Sequence, residues 1–257
     1  MSDHNLARRA LALLDLTDLS DGADEAATRA LCAKAVSGPV PVAAICIWPR
    51  FVKTARAALG AGGVKIATVV NFPAGGDDPA PVLSDTEKAI AAGADEIDLV
   101  LPWRRVLAGD TAIASAMIID IKARGGGKPL KVILETGQYP DGDAIRRAAD
   151  LAIAAGADFI KTSTGKTARS ATPEAARIML EAIREAGRPV GLKPSGGIRT
   201  LADAKTYLGL AGEVMGPDWA TPATFRFGAS GLYDVLAQEI AGTSGKAGQG
   251  SKATESY

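Results

Sequence analysis

The stretch Ala89-Ile-Ala-Ala-Gly-Ala-Asp-Glu-Ile-Asp98 has a counterpart 63 residues further on, Ala152-Ile-Ala-Ala-Gly-Ala-Asp-Phe-Ile-Lys161. Each copy reads as a helix end, a glycine cap (Gly93 or Gly156) and entry into a strand, because glycine takes the left-handed cap conformation without a Cβ clash. The interval equals two strand–helix units. Continued in register, the two copies place Asp98 opposite Lys161, midway along two otherwise apolar strands. The repeat by itself is equally a shared αβ turn. The charges favour a functional reading, since an unpaired charge in such a strand is costly.

Outward from this repeat, short runs rich in Val and Ile predict strands at Leu14–Thr17, Val42–Ile47, Ile66–Asn71, Glu96–Leu101, Lys131–Glu135, Asp158–Ser163, Val190–Lys193 and Phe225–Gly228. Between them, apolar spacing predicts helices at Ser84–Ala92, Ile113–Ala123, Asp143–Ala155 and Thr172–Ala186. Gly187 caps the last of these, and Thr172-Pro173-Glu174 starts it, with Thr as cap and Pro at the first helical position. Eight strand–helix units fit a (β/α)8 barrel. A doubly wound sheet alternates in the same way, but its G-x-G-x-x-G fingerprint occurs nowhere in the chain. In a barrel, alternate strands fill the same interior layer, so Asp98 on the fourth strand and Lys161 on the sixth are expected to point inward at similar height. Residues 1–241 read as one barrel domain, and 242–257 as a flexible tail with almost nothing to bury, ending in Tyr257.

Composition removes several function classes. Lys+Arg and Asp+Glu both number 29, so the basic excess that nucleic-acid binding requires is missing. The single histidine, His4, lies near an N-terminus expected to be mobile, which argues against His triads, His-ligated zinc and His general bases. Cys32 and Cys46 do not make a disulfide scaffold and read as reduced cytosolic thiols. At 47% hydrophobic and 23% charged residues the composition is that of an ordinary globular domain. No apolar run is long enough to span a membrane, and Asp15 and Asp18 interrupt the first apolar stretch, so no signal peptide is expected. The expected location is the cytoplasm.

Lys161 lies in Asp158-Phe-Ile-Lys-Thr-Ser-Thr-Gly-Lys166, and Lys193 in Gly191-Leu-Lys-Pro-Ser-Gly-Gly-Ile-Arg199. Each sits at the C-terminal end of its strand, where barrels hold their active sites, and the two strands are neighbours. A free lysine with a pKa of about 10.4 is neutral only about once in 2,500 molecules at pH 7, so bringing it near 7 takes about 4.6 kcal/mol. A second positive charge about 5 Å away supplies about 3.3 kcal/mol at an effective dielectric near 20, and desolvation adds to it. Paired strand lysines therefore create the amine nucleophile that Schiff-base chemistry needs. Gly165-Lys166, Gly196-Gly197-Ile198-Arg199 and Gly228-Ala229-Ser230-Gly231 follow the sixth, seventh and eighth strands, and glycines let backbone N–H groups approach a phosphate. Thr164-Gly165-Lys166-Thr167 mimics the end of a nucleotide P-loop, but Ile160 stands where that motif needs glycine.

On these residues the chain resembles the deoxyribose-phosphate aldolase family, Schiff-base (class I) aldolases of the barrel fold. The resemblance runs through Leu14-Asp-Leu-Thr17, Ala44-Ile-Cys-Ile47, Asn71-Phe-Pro73, Ala94-Asp-Glu-Ile-Asp98, Glu135-Thr-Gly137, Phe159 to Gly165, Lys193 to Arg199, Phe227-Gly-Ala-Ser230 and the terminal Ser256-Tyr257. It implies reversible cleavage of 2-deoxy-D-ribose 5-phosphate to D-glyceraldehyde 3-phosphate and acetaldehyde, in deoxyribose phosphate catabolism. It also implies that Lys161 forms the Schiff base, that Lys193 lowers its pKa, and that Asp98 acts with Lys193 in proton transfer. Asp15 and Thr17 match the sugar-hydroxyl side of the pocket, Cys46 lies near it, and Tyr257 assists proton removal. Thr164, Gly165, Lys166, Gly196, Gly197, Ile198, Arg199, Gly228, Ser230 and Gly231 match the phosphate side. Gly231 stands where some relatives carry a second Ser, and Ser195 where some carry Ala. The resemblance implies no metal or organic cofactor, small phosphosugar and aldehyde substrates, and a homo-oligomer, dimer or tetramer. A Schiff-base barrel using another donor, such as dihydroxyacetone phosphate, and a noncatalytic phosphosugar-binding barrel are the competing readings.

Overall fold

The computed structural model describes residues 1–242; the expected tail beyond Gly242, with Tyr257, lies outside the described residues. Eight parallel strands, β1 (Leu14–Asp18), β2 (Ala44–Ile47), β3 (Lys65–Val70), β4 (Glu96–Val100), β5 (Leu130–Ile133), β6 (Phe159–Lys161), β7 (Gly191–Lys193) and β8 (Phe227–Ala229), are ordered β7-β6-β5-β4-β3-β2-β1-β8. Parallel bridges Leu192–Phe225 and Ser195–Gly228 join β8 back to β7 and close the barrel. The helices are α1 (Asp3–Ala12), α2 (Glu25–Ser37), α3 (Val52–Leu59), α4 (Pro79–Ala91), α5 (Trp103–Leu107), α6 (Ala112–Arg124), α7 (Gly142–Ala154), α8 (Pro173–Glu185), α9 (Leu201–Met215) and α10 (Leu232–Ile240). This is a (β/α)8 barrel, as the strand–helix alternation predicts.

The N-terminal segment, expected to be mobile, is instead helix α1. Ser2 caps it, Leu6, Ala7, Ala10 and Leu11 are buried, and it packs against α10. That apolar spacing is the ordinary helical one and gives the segment a face to bury. His4 lies on its exposed side.

Strand ends fall short of their expected limits where the backbone turns away. Asn71 and Glu135 adopt left-handed φ of 58° and 62°, ending β3 and β5. Gly93, Gly156 and Gly187 take φ of 107°, 106° and 66° at helix ends, and Thr172 caps α8 by accepting from Ala175 N at 3.1 Å. The repeated segment is indeed a common turn: Asp95 accepts from Ile66 N at 2.9 Å, and Asp158 from Leu130 N at 2.7 Å. Each aspartate thus ties its own strand to the preceding one and fixes the register of the strand residues after it.

The cross-strand register then lays out the interior. Thr17 pairs with Cys46, Cys46 with Ala67, Val69 with Asp98, Asp98 with Lys131, Ile133 with Lys161, Lys161 with Lys193, and Asp15 with Gly228. One side of the barrel interior, on β2 and β3, is small and apolar: Ala44, Cys46, Ala67 and Val69. The buried charges, Asp15, Glu96, Asp98, Lys131, Lys161 and Lys193, lie on the other strands.

Candidate active site

Asp98 is the hub of that charged half. Its Oδ1 accepts from Lys131 Nζ at 2.9 Å, and its Oδ2 accepts from Lys161 Nζ at 2.9 Å and Lys193 Nζ at 2.8 Å. Asp15 accepts from Lys193 Nζ at 2.5 Å through Oδ2 and from Arg226 Nη1 at 2.7 Å through Oδ1. Glu96 pairs with Lys131 at 2.6 Å and with Arg226 Nη2 at 2.8 Å. All seven side chains are buried.

Removing charges from water is expensive, so the cluster persists only because each group is paired. Burial by itself would raise the Asp98 carboxyl, but Lys131, Lys161 and Lys193 overcome it and hold it well below the usual carboxylate range. The same competition, won by Lys193 and Arg226, lowers Asp15. Burial disfavours the Lys193 and Lys131 ammonium groups, yet their carboxylate neighbours outweigh it and push both above the ordinary lysine value. Lys193 and Lys131 are therefore fixed cations. Lys161 differs from them in leaning on a single carboxylate, Asp98. The cluster holds four basic side chains (Lys131, Lys161, Lys193, Arg226) against three acidic ones (Asp15, Glu96, Asp98), one positive charge in excess.

The juxtaposition of Asp98, Lys161 and Lys193 is the one expected from the repeat and the strand order. Lys131, Glu96 and Arg226 were not anticipated. Their signal was available: each is a charged residue inside or beside an apolar strand run. Asp15 is completely buried beneath Lys193 rather than open to the barrel mouth, while Thr17 is half-buried and donates to Asp15 O at 2.8 Å. Cys46 Sγ lies 4.0 Å from Asp98 Oδ2, and burial pushes its thiol up, which disfavours a thiolate there.

The three glycine loops meet at the C-terminal ends of β6, β7 and β8. Gly165, Gly196 and Gly197 have left-handed φ of 80°, 82° and 79°. A Cβ on Gly196 would stand 2.7 Å from Ser170 Oγ and 3.2 Å from Gly165 Cα, so the sixth and seventh loops touch there. Gly196 N donates to Gly228 O at 3.4 Å, joining the eighth. Lys166 Nζ lies 3.9 Å from Asp21. Ser230 is exposed, and Gly231 caps α10 without a side-chain bond.

Two expected phosphate-side residues have other duties. Thr164 donates through both N and Oγ1 to the buried carboxylate of Glu135, the Oγ1 contact being 2.6 Å, and its Oγ1 accepts from Lys166 N at 3.0 Å. Arg199 N donates to Asp203 Oδ2 at 2.9 Å as part of the capping of α9, and Ile198 is buried. Thr167 Oγ1 also donates to Glu135, at 3.2 Å. Glu135 thus shapes the sixth loop from the end of the fifth strand, a role the sequence reading missed.

A closed parallel barrel with charged side chains gathered inside it, at the end where glycine loops converge, belongs to the barrel enzymes. Comparison with known proteins narrows the class. Residues 5–219 match the family model described as DeoC/LacD family aldolase. A deoxyribose-phosphate aldolase of Agrobacterium fabrum is 53% identical over 249 residues, covering 96% of this chain and 94% of that protein. Among solved structures, a Toxoplasma gondii protein assigned as a deoxyribose-phosphate aldolase superposes with a TM-score of 0.86 at 29% identity, covering 93% of this chain and 98% of that one. The deoxyribose phosphate aldolase of Aeropyrum pernix, described as a tetramer, gives 0.74 at 26% identity, over 93% and 92% of the two chains. The chain belongs to the DeoC/LacD aldolase family and is a lyase.

Proposed function

We propose that the chain cleaves 2-deoxy-D-ribose 5-phosphate reversibly into D-glyceraldehyde 3-phosphate and acetaldehyde through a Schiff base on Lys161, in the breakdown of deoxyribose phosphate. The observation that carries this reading is the sharing of Asp98 Oδ2 by Lys161 and a fixed cation, Lys193. The name of the Agrobacterium relative supports the substrate.

With one positive charge more than there are carboxylates, loss of a proton from Lys161 leaves the cluster neutral. The free amine adds to C1 of the open-chain sugar, and Asp98, with Lys193 beside it, passes the protons that turn the carbinolamine oxygen into departing water. The protonated imine then draws in the electron pair of the C2–C3 bond. C3 becomes the aldehyde carbon of glyceraldehyde 3-phosphate as its hydroxyl loses a proton. The remaining enamine takes a proton at C2, and water releases acetaldehyde and restores the lysine. By resemblance, Tyr257 assists the proton exchange at C2 and Thr17 faces the sugar hydroxyls, while Asp15, buried beneath Lys193, holds that lysine from below. Gly165, Lys166, Gly196, Gly197, Gly228, Ser230 and Gly231 form the phosphate side. The tetramer of the Aeropyrum protein makes a homo-oligomer the proposed assembly.

Borohydride reduction in the presence of acetaldehyde, followed by peptide mapping, tests the reading. The expected result is a two-carbon adduct on Lys161 that Lys161→Leu abolishes together with turnover. An adduct on another lysine, or none, overturns it.

A further inference from the structure

We propose that Glu96 and Arg226, at the floor of the barrel, are positioning residues for this chemistry, setting the charge and geometry of the Asp98–Lys161–Lys193 group from below. The proposal rests on the Schiff-base reading of Lys161 and adds to it two residues that never meet substrate.

Both side chains lie at the opposite end of the barrel from the glycine loops. They line a depression of about 310 Å3 whose other walls include Pro129, Asp158 and Val190, each directly ahead of a strand. Buried polar residues at that face of a barrel ordinarily serve stability alone. Here the contacts lead upward. Arg226 forks onto Glu96 at 2.8 and 3.2 Å and onto Asp15 at 2.7 Å, and its Nε donates to Pro222 O at 2.5 Å. The Phe159 ring lies 5.8 Å from Arg226 Cζ, and its edge fills the space that a Cβ on Gly191 would occupy.

From this base two arms rise. Glu96 holds Lys131 at 2.6 Å, and Lys131 occupies Oδ1 of Asp98, leaving Oδ2 to Lys161 and Lys193. Arg226 holds Oδ1 of Asp15, whose Oδ2 bonds Lys193, with Lys131 Nζ further off at 3.7 Å. Each carboxylate therefore has one oxygen tied from beneath and one presented to a strand-end lysine. The titratable and charged groups around Lys161 are Asp15 from β1, Cys46 from β2, Glu96 and Asp98 from β4, Lys131 from β5, Lys193 from β7 and Arg226 ahead of β8; β3 contributes only Ala67 and Val69. Glu96 and Arg226 carry opposite charges, so their single removals push the field at Lys161 in opposite directions.

The test measures the pH dependence of borohydride-trapped adduct and of turnover in the full chain, with acetaldehyde as the trapping aldehyde. Glu96→Gln removes an anion and should move the acidic limb to lower pH by about one unit, while Arg226→Gln removes a cation and should move it upward by a similar amount. The double variant restores the charge count and should return toward the wild-type profile. In each, kcat should fall several-fold while KM changes less than twofold. Arg226→Lys keeps the charge and loses the fork, so it should lower kcat without moving the limb; it also decides the matter if Arg226→Gln does not fold by circular dichroism. Shifts in the same direction, unmoved limbs, or a double variant that only accumulates loss would overturn the proposal while leaving the wild-type adduct intact. A wild type without an adduct on Lys161 removes the underlying reading and this one with it.

Discussion

Lys161 and Lys193 reach the same carboxylate oxygen, Oδ2 of Asp98, at 2.9 and 2.8 Å. The two amines are register partners on β6 and β7, so their proximity is fixed by strand pairing rather than by a flexible loop. Their environments nevertheless diverge. Lys193 also grips Asp15 and is held charged, which makes it a permanent positive neighbour to the lysine beside it.

Replacing Lys193 with Leu exploits that asymmetry. Lys161 would then have Asp98 Oδ2 to itself, which favours its ammonium form, so the activity optimum should move to higher pH. Asp15 and Asp98 would each lose a buried partner, and breaking such a pair typically costs about 3–5 kcal/mol. Measuring kcat/KM against pH, with urea unfolding alongside, checks both parts; an unmoved optimum contradicts the electrostatic role given to Lys193.

The buried carboxylates also set the acid stability. Asp15 and Asp98 titrate lower in the folded chain than their unfolded value of about 3.9, so their contribution is full above that value and is lost as pH falls toward the folded one. Lys193 works in the other sense: its folded value is raised, so its contribution is full below about 10.4 and is lost as pH rises through the folded value. Thermal stability should therefore be flat across neutral pH and fall on both sides. Asp15→Asn should lower stability at pH 7 and make the acid limb shallower. A melting series from about pH 2 to about 11.5 reads both effects, and an acid limb as steep as the wild type's would refute the assignment to Asp15.

The legibility of this site in the sequence was uneven for physical reasons. Lys161 and Lys193 stood out because each interrupts an apolar strand next to a polar loop, and Asp98 because the internal repeat sets it, midway along an apolar strand, opposite Lys161. Lys131, Glu96 and Arg226 carry a weaker form of the same signal. Each lies at or just before the start of its strand or as its second residue, where a charge is ordinarily solvated, and only cross-strand register reveals that they converge. Thr164 was placed on the phosphate side by resemblance; its hydrogen-bond partner Glu135, 29 residues away on a left-handed turn, has no local signal in the sequence. Strand existence was readable throughout, while strand ends depended on left-handed turns at Asn71, a residue type that enters that region readily, and at Glu135, one that does not.

Two glycines separate the chemistry from phosphate binding. A Cβ on Gly228 would lie 2.6 Å from Ser195 Oγ and 3.0 Å from Lys193 Cε, so Gly228→Ala should displace the Lys193 stem and lower kcat about tenfold or more, a loss of about 1.4 kcal/mol in transition-state stabilisation. Gly196, at φ 82°, would press on Ser170 and the Gly165 backbone, away from the lysines. Gly196→Ala should therefore raise KM for the phosphorylated sugar more than it changes kcat. Steady-state kinetics with 2-deoxyribose 5-phosphate and with 2-deoxyribose distinguishes the two, and the same kcat-to-KM pattern in both variants would contradict the division.

Gly231 offers the opposite experiment, a gain. Its φ of −74° suits any residue, a Cβ there meets nothing within 4 Å, and it caps α10 without a side-chain bond. Serine at this position adds a hydroxyl beside Ser230 on the loop proposed to hold phosphate, and serine is also a better helix cap than glycine, by a few tenths of a kcal/mol. A hydrogen bond to a charged group contributes about 1.5–3 kcal/mol when well formed, and an exposed one less, so Gly231→Ser should lower KM for 2-deoxyribose 5-phosphate by about three- to tenfold. The non-phosphorylated sugar should show no change, because the added hydroxyl has no anion to meet. Equal effects on both sugars would mean that the serine acts through α10 rather than through the phosphate, and a raised KM would place the phosphate elsewhere than this loop.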